Sequence, residues 1–109
     1  MPRTWRLTRG WEIGEVLNQG SRSAVGPLTL FWKPNNQGHP RLGLVIPRYG
    51  ATAVKRNKMR RRLREILRRR VLPNLPPVDL VIRCSKKAYA TRWSTLSQEL
   101  ELWFTSFER

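Results

Sequence analysis

Between Lys55 and Arg70 the chain carries ten of its 22 lysines and arginines: Lys55, Arg56, Lys58, Arg60, Arg61, Arg62, Arg64, Arg68, Arg69 and Arg70. Glu65 is the single acid among them. A guanidinium is a planar fork that can hold two phosphate oxygens at once and can also stack on a base. Each phosphate neutralised in this way releases condensed counterions. A charge run with both signs interspersed is usually a solvated helix face. Here like charges recur at i and i+4 without acidic partners, which destabilises a helix standing alone, so the run points to a polyanionic partner, RNA or DNA.

The periodicity predicts a helix over residues 53–71, stopped by Pro73, Pro76 and Pro77. At about 100° per residue, Met59, Leu63, Ile66 and Leu67 share one edge, and Asn57, Arg61, Arg64 and Arg68 gather on the opposite side. Such a helix buries one edge and offers a guanidinium stripe on the other.

The remaining elements must hold that helix. Thr8 is placed to cap a first helix, roughly 9–19, carrying Ile13, Val16 and Leu17, with Gly20 ending it where a left-handed cap is wanted. From Pro27 to Lys33 the residues alternate, with Leu28, Leu30 and Trp32 on one face and Thr29, Phe31 and Lys33 on the other. Residues 41–47 repeat the alternation, and the turn-rich Pro34–Pro40 segment reads as a hairpin connection between two antiparallel strands. Val78–Ser85 is an apolar run suited to a central strand. A last helix over about 91–107 aligns Leu96, Leu100, Trp103, Phe104 and Phe107 in one stripe. The order is helix, two or three strands, helix, strand, helix: an α+β sandwich with helices packed on a sheet, in one domain spanning 1–109.

The chain has 109 residues and a formal net charge of +15, an imbalance best tolerated beside a polyanion. Anionic membrane is the weaker candidate, since no run of about 18 apolar residues exists. No apolar segment follows the basic N-terminus as a secretory signal requires, so a cytoplasmic location is expected. Arg3, Arg6 and Arg9 faintly resemble a transit peptide and read better as a basic arm. Cys84 is the only cysteine, which leaves no internal disulfide and no thiolate metal cluster; it reads as a small strand residue. His39, also solitary, reads as a solvated loop residue. Neither a carboxylate pair near a histidine nor a nucleophile with a base is recognisable, so no catalytic residue and no metal site is assigned.

Gly43-Leu44-Val45-Ile46, followed by Ala53-Val54-Lys55-Arg56-Asn57-Lys58-Met59-Arg60-Arg61-Arg62-Leu63-Arg64-Glu65, resembles the signature of bacterial ribonuclease P proteins, an Arg-Asn-Arg core leading a basic helix. The resemblance runs from Arg6-Leu7 through Val78-Asp79-Leu80-Val81-Ile82. Lys58 stands where the family has its second Arg, and Pro47-Arg48-Tyr49 where it commonly has Ser-Lys-Lys. Ile13 and Leu17 occupy positions that are often aromatic in relatives.

The resemblance implies a roughly four-stranded sheet with three helices in the order αβββαβα, including a left-handed β-α-β crossover against the usual right-handed rule. It implies a protein subunit that binds a catalytic RNA and the 5′ leader of precursor tRNA. The RNA would carry out the hydrolysis and hold most of the Mg2+, with no obligate protein partner. The RNA-binding residues it implies are Arg48, Arg56, Asn57, Lys58, Arg60, Arg61, Arg64 and Arg68. A leader cleft is expected at Ile13, Leu17 and Phe31, with Phe31 pointing outward as a stacking ring. The rival from another class is a structural ribosomal protein or RNA chaperone; a DNA-binding module lacks a clear helix-turn-helix pair.

Overall fold

The computed structural model describes residues 5–71 and 75–107. Arg3 of the basic arm, Pro73 and the Phe107 side chain lie outside the described residues. Helix α1 (Gly10–Gln19) leads into strands β1 (Ser21–Val25), β2 (Leu28–Pro34) and β3 (Arg41–Val45). Helix α2 (Ala53–Ile66) continues as a π-helical turn, Leu67–Val71. Strand β4 (Val78–Cys84), a 3-10 turn (Lys86–Ala90) and helix α3 (Trp93–Phe107) complete the order.

The four strands lie in the order β1-β2-β4-β3, antiparallel except for the parallel pair β3 and β4. The expected hairpin between β2 and β3 is therefore not formed. β4 lies between them because six of its seven residues, Arg83 excepted, are buried, and a strand apolar on both sides belongs where both faces are covered. Residues 34–40 turn toward β4 instead: the Asn35 amide donates to the Pro77 carbonyl at 3.0 Å and its side chain to Asp79 at 2.8 Å. The parallel neighbours need a crossover, and α2 supplies it.

Two glycines are fixed by space. Gly20 follows α1 at φ −75°, not in the expected left-handed cap. A Cβ there would sit 2.6 Å from the Val16 carbonyl oxygen and 2.7 Å from that of Trp32, so the residue is glycine to let helix and strand meet. The helix N-cap is Arg9, with no side-chain cap, in place of the expected Thr8. Gly26 turns the β1-β2 hairpin at φ +57°, as the first central residue of a tight turn prefers, and a Cβ there would collide with the Glu99 carboxylate.

Both sheet faces are covered. On one, Leu30, Leu80 and Ile82 meet Leu63 of α2, Leu67 of the turn that continues it, and Leu96, Leu100 and Phe104 of α3 in one apolar cluster. On the other, Phe31 and Val81 pack with Leu7 and with Val16 of α1, flanked by half-buried Ile13, Leu17 and Val45. Helix α1 is pinned there by ion pairs: Lys33 to Glu15 at 2.8 Å, and Arg41 to Glu12 at 2.9 Å and to Asp79 at 2.8 Å. Among the described residues no helix is long and apolar enough to cross a membrane.

Candidate nucleic-acid interface

Helix α2 starts at Thr52, whose hydroxyl accepts from the Lys55 amide at 3.2 Å and so satisfies one of the free N–H groups of the first turn. Met59, Leu63, Ile66 and Leu67 are 8%, 0%, 7% and 0% exposed, so the apolar edge read from the periodicity is the edge that docks. That docking fixes the opposite side. Asn57, Arg61 and Arg68 are exposed, and Arg56, Arg60 and Arg64 are half-buried. Asn57 accepts from Arg60 at 3.4 Å, and Arg68 pairs with Glu65 at 3.0 Å. Lys58 is exposed but lies on another flank, beside Lys55 and Arg62. Arg48 is exposed in the loop before the helix.

One cationic feature of the site was not recognised from sequence. The Arg6–Leu7 segment adds to the free edge of β3 by a parallel bridge to Leu42, with the Leu7 amide donating to the Leu42 carbonyl at 2.8 Å. This brings Arg6 to α2, where it lines a cleft of about 470 Å³ with Arg60 and Arg64, floored by Leu42 and Leu44. Among the described residues no acid lines that cleft. The Arg64 guanidinium is held below its ordinary range, first by burial and then by the charges of Arg6 and Arg60. Three like charges forced together are poised for an anion that sits between them. Ile13 lines the same cleft; Leu17 and Phe31 do not.

The expected outward Phe31 ring is corrected by the structure. Alternation does place Phe31 opposite Leu28 and Leu30, but α1 lies over that face and leaves Phe31 3% exposed. The Arg83 guanidinium also stands 5.1 Å over its ring, so the ring is no open platform. Arg83 is the one exposed residue of β4. Arg22, also exposed, pairs with Phe31 across the β1-β2 ladder. Two cations thus border the seam where Ile13 and Leu17 are half-buried. A charge inside the apolar run Val81-Ile82-Arg83-Cys84 was the available signal for Arg83; Arg6 was legible as part of a basic arm, but its place beside α2 depends on a long-range bridge.

Cys84 and His39 carry no visible chemistry. His39 stacks on Trp5 with ring centroids 5.2 Å apart. Burial pushes the Cys84 thiol up to about 11 and keeps it from being a thiolate nucleophile. A raised thiol contributes stability that is complete below its ordinary range near 9 and is lost as pH climbs to the folded value. Burial raises the Tyr89 phenol as well, with the same sign. Native protein at pH 8 is expected to resist iodoacetamide until denaturant is added, and its melting temperature to fall between about pH 9 and pH 11. Rapid native-state alkylation at pH 8 would show the thiol to be accessible. Among the described residues no group of three or more His, Cys, Asp or Glu side chains could hold a metal ion.

Fold and surface together define an α+β protein that carries a cationic helix across one face of a mixed four-stranded sheet. The family model for ribonuclease P matches residues 1–108, and the chain belongs to this family of ribonuclease P protein components. A ribonuclease P protein component of an Exiguobacterium species is 33% identical over 101 residues, covering 93% of this chain and 88% of that relative. One from Methylococcus capsulatus is 35% identical over 101 residues, covering 92% and 78%. Among solved structures, the RNase P protein of Staphylococcus aureus superposes with a TM-score of 0.80 at 19% identity, over 96% of this chain and 95% of that one. That of Thermotoga maritima gives 0.78 at 24% identity, over 93% and 96%. The two structural likenesses show the fold.

Proposed function

We propose that this chain is the RNA-binding protein subunit of a ribonuclease P ribonucleoprotein, acting in the cytoplasm on precursor tRNA. The observation that carries the reading is the acid-free cleft of Arg6, Arg60 and Arg64 on the flank of α2, which presents three guanidinium groups to one anionic ligand. In the assembled enzyme this flank, with Arg56, Asn57, Arg61 and Arg68, meets phosphates of the catalytic RNA. The 5′ leader lies along the α1 side of the sheet. Arg22 and Arg83 meet its backbone there, and Ile13 and Leu17 supply apolar contact. Phe31 supports Arg83 from below instead of stacking on a base.

Hydrolysis belongs to the RNA in this reading, and the Mg2+ it requires would be held mainly there. Glu12, Asp79, Glu15, Glu65 and Glu101 are engaged with arginine or lysine partners, Glu99 is not, and among the described residues no three such groups come together to hold an ion. What the protein contributes is positive charge fixed on a rigid helix, which lets RNA phosphates approach one another with less help from free cations.

Reconstitution tests this. The RNA-free protein is expected to leave precursor tRNA intact. Protein and cognate catalytic RNA together are expected to remove the leader at Mg2+ concentrations where the RNA alone is slow. Cleavage by RNA-free protein, or an unchanged Mg2+ requirement, would overturn the proposal. Recovery of ribosomal RNA in place of the catalytic RNA from a pull-down would move the chain to the structural or chaperone class.

A further inference from the structure

We propose that the seam between α2 and the α3 side of the chain is a second binding track, one for single-stranded RNA, separate from the Arg6–Arg60–Arg64 cleft and from the α1 side of the sheet. Three hollows of about 350, 180 and 230 Å³ lie along this seam and share walls. Lys55 and Tyr89 border both the first and the second; Arg62 borders both the second and the third. They form one groove beside the helix from Lys55 to Arg69, a rise of about 20 Å.

The lining alternates the two chemistries a single strand needs, rings for bases and cations for phosphates. Tyr49 opens the groove, 50% exposed and held at φ +45°, a backbone conformation rare for an aromatic residue. Its loop is fastened at both ends: the Ala51 amide donates to the Arg48 carbonyl at 2.6 Å, and the Tyr89 hydroxyl donates to the Pro47 carbonyl at 2.6 Å. The ring is therefore presented on a fixed support. Lys55, Lys58 and Lys86 follow along the groove, with no ion pair to any of them among the described residues. At the far end Arg62 lies 5.9 Å over half-buried Trp93.

Acidic groups occur only in that last hollow, and both are engaged. Glu65 pairs with Arg68 and Arg69 at 3.0 and 2.7 Å, and Glu101 with Arg70 at 3.1 Å. The groove is left net cationic. A duplex hides its base faces from side rings, whereas a single strand can offer one to the exposed Tyr49 ring while its phosphates meet the lysines and Arg62. The track is sequence-tolerant, because any base has a face to stack.

The test uses the full-length protein and a fluorescein-labelled single-stranded RNA hexamer, read by anisotropy across a salt series. Circular dichroism melts confirm that each variant folds. Tyr49→Ala is expected to weaken hexamer binding roughly five-fold or more with an unchanged salt slope, as loss of one stacking ring does. Lys58→Gln with Arg62→Gln is expected to lower the log–log salt slope by about 0.7 per lost phosphate contact. If all three substitutions leave hexamer binding as in the wild type, while Arg60→Gln with Arg64→Gln abolishes it, the track does not exist. In the reconstituted ribonucleoprotein, a loss for Tyr49→Ala confined to precursors with a long leader identifies the strand as the leader. Weakened assembly with the catalytic RNA, whatever the leader length, identifies it as a segment of that RNA. The wild-type reconstitution reads the proposed function separately, so failure of either idea is visible without the other.

Discussion

Asp79→Ala is expected to destabilise the protein by about 3 kcal/mol, the lower end of the cost of breaking a buried ion pair by removing one partner. The Asp79 and Arg41 side chains are only 11% and 17% exposed. Arg41 Nε donates to one carboxylate oxygen of Asp79 at 2.8 Å and Nη2 to the other at 2.8 Å, a bidentate pair, and Asn35 adds a third bond at 2.8 Å. The hydrogen bond to Asp79 is the main reason the Arg41 guanidinium is held above its ordinary range. Truncating Asp79 leaves that guanidinium with only Glu12 and leaves the Asn35 amide without its carboxylate. The penalty is the cost of stranding polar groups rather than the net worth of the pair. Replacing both partners by apolar residues, Arg41→Met with Asp79→Leu, is therefore expected to destabilise less than Asp79→Ala alone. Urea titrations of the two variants decide it; a single variant as stable as the wild type would mean that the network is effectively solvated.

The same network links stability to the RNA surfaces. Arg41 Nη1 donates to Glu12 of α1 at 2.9 Å, so the pair that joins β3 to β4 also seats α1 on the sheet. Losing Asp79 should loosen α1 and the seam bearing Ile13 and Leu17. The docked edge of α2, held by Met59, Leu63, Ile66 and Leu67 on the other face, should be unaffected.

That division also explains what could be read from the sequence. The docking edge of α2 was legible because a helix writes its buried face into the spacing of its own residues, and Leu63 and Leu67 needed no distant partner to identify them. The place of β4 was only half legible. Its apolar run marked it as central, but the hairpin-like chemistry of Pro34–Pro40 favoured pairing β2 with β3, and local turn composition carries no information about a strand that begins only at Val78. Phe31 failed for a related reason: alternation tells which face a side chain takes and says nothing about what lies over that face. Arg6 and Arg64 were each visible as basic residues. Their meeting depends on the Arg6–Leu42 bridge, a backbone pairing no residue type specifies.

Their meeting yields a prediction in which stability and function move in opposite directions. Arg64→Gln is expected to raise the melting temperature of the free protein while weakening its hold on catalytic RNA. In the free chain Arg64 is partly desolvated and faces Arg6 and Arg60 with no acid between them, so its charge opposes folding. A glutamine keeps much of the side chain's length and removes the repulsion. In the complex the same charge meets a phosphate, where a hydrogen bond to a charged group contributes about 1.5 to 3 kcal/mol, and its removal should weaken binding by about ten-fold or more. Arg60→Gln with Arg64→Gln should approach a hundred-fold and lower the log–log salt slope by about one unit per lost contact. Arg61→Gln is the control: Arg61 is exposed and does not line the cleft, so the substitution should affect RNA binding with little change in melting temperature. Paired melting curves and salt-dependent titrations read both effects. If Arg64→Gln lowers stability, or stabilises the protein without loss of RNA affinity, the cleft is an ordinary solvated surface and the cationic partner site lies elsewhere on α2.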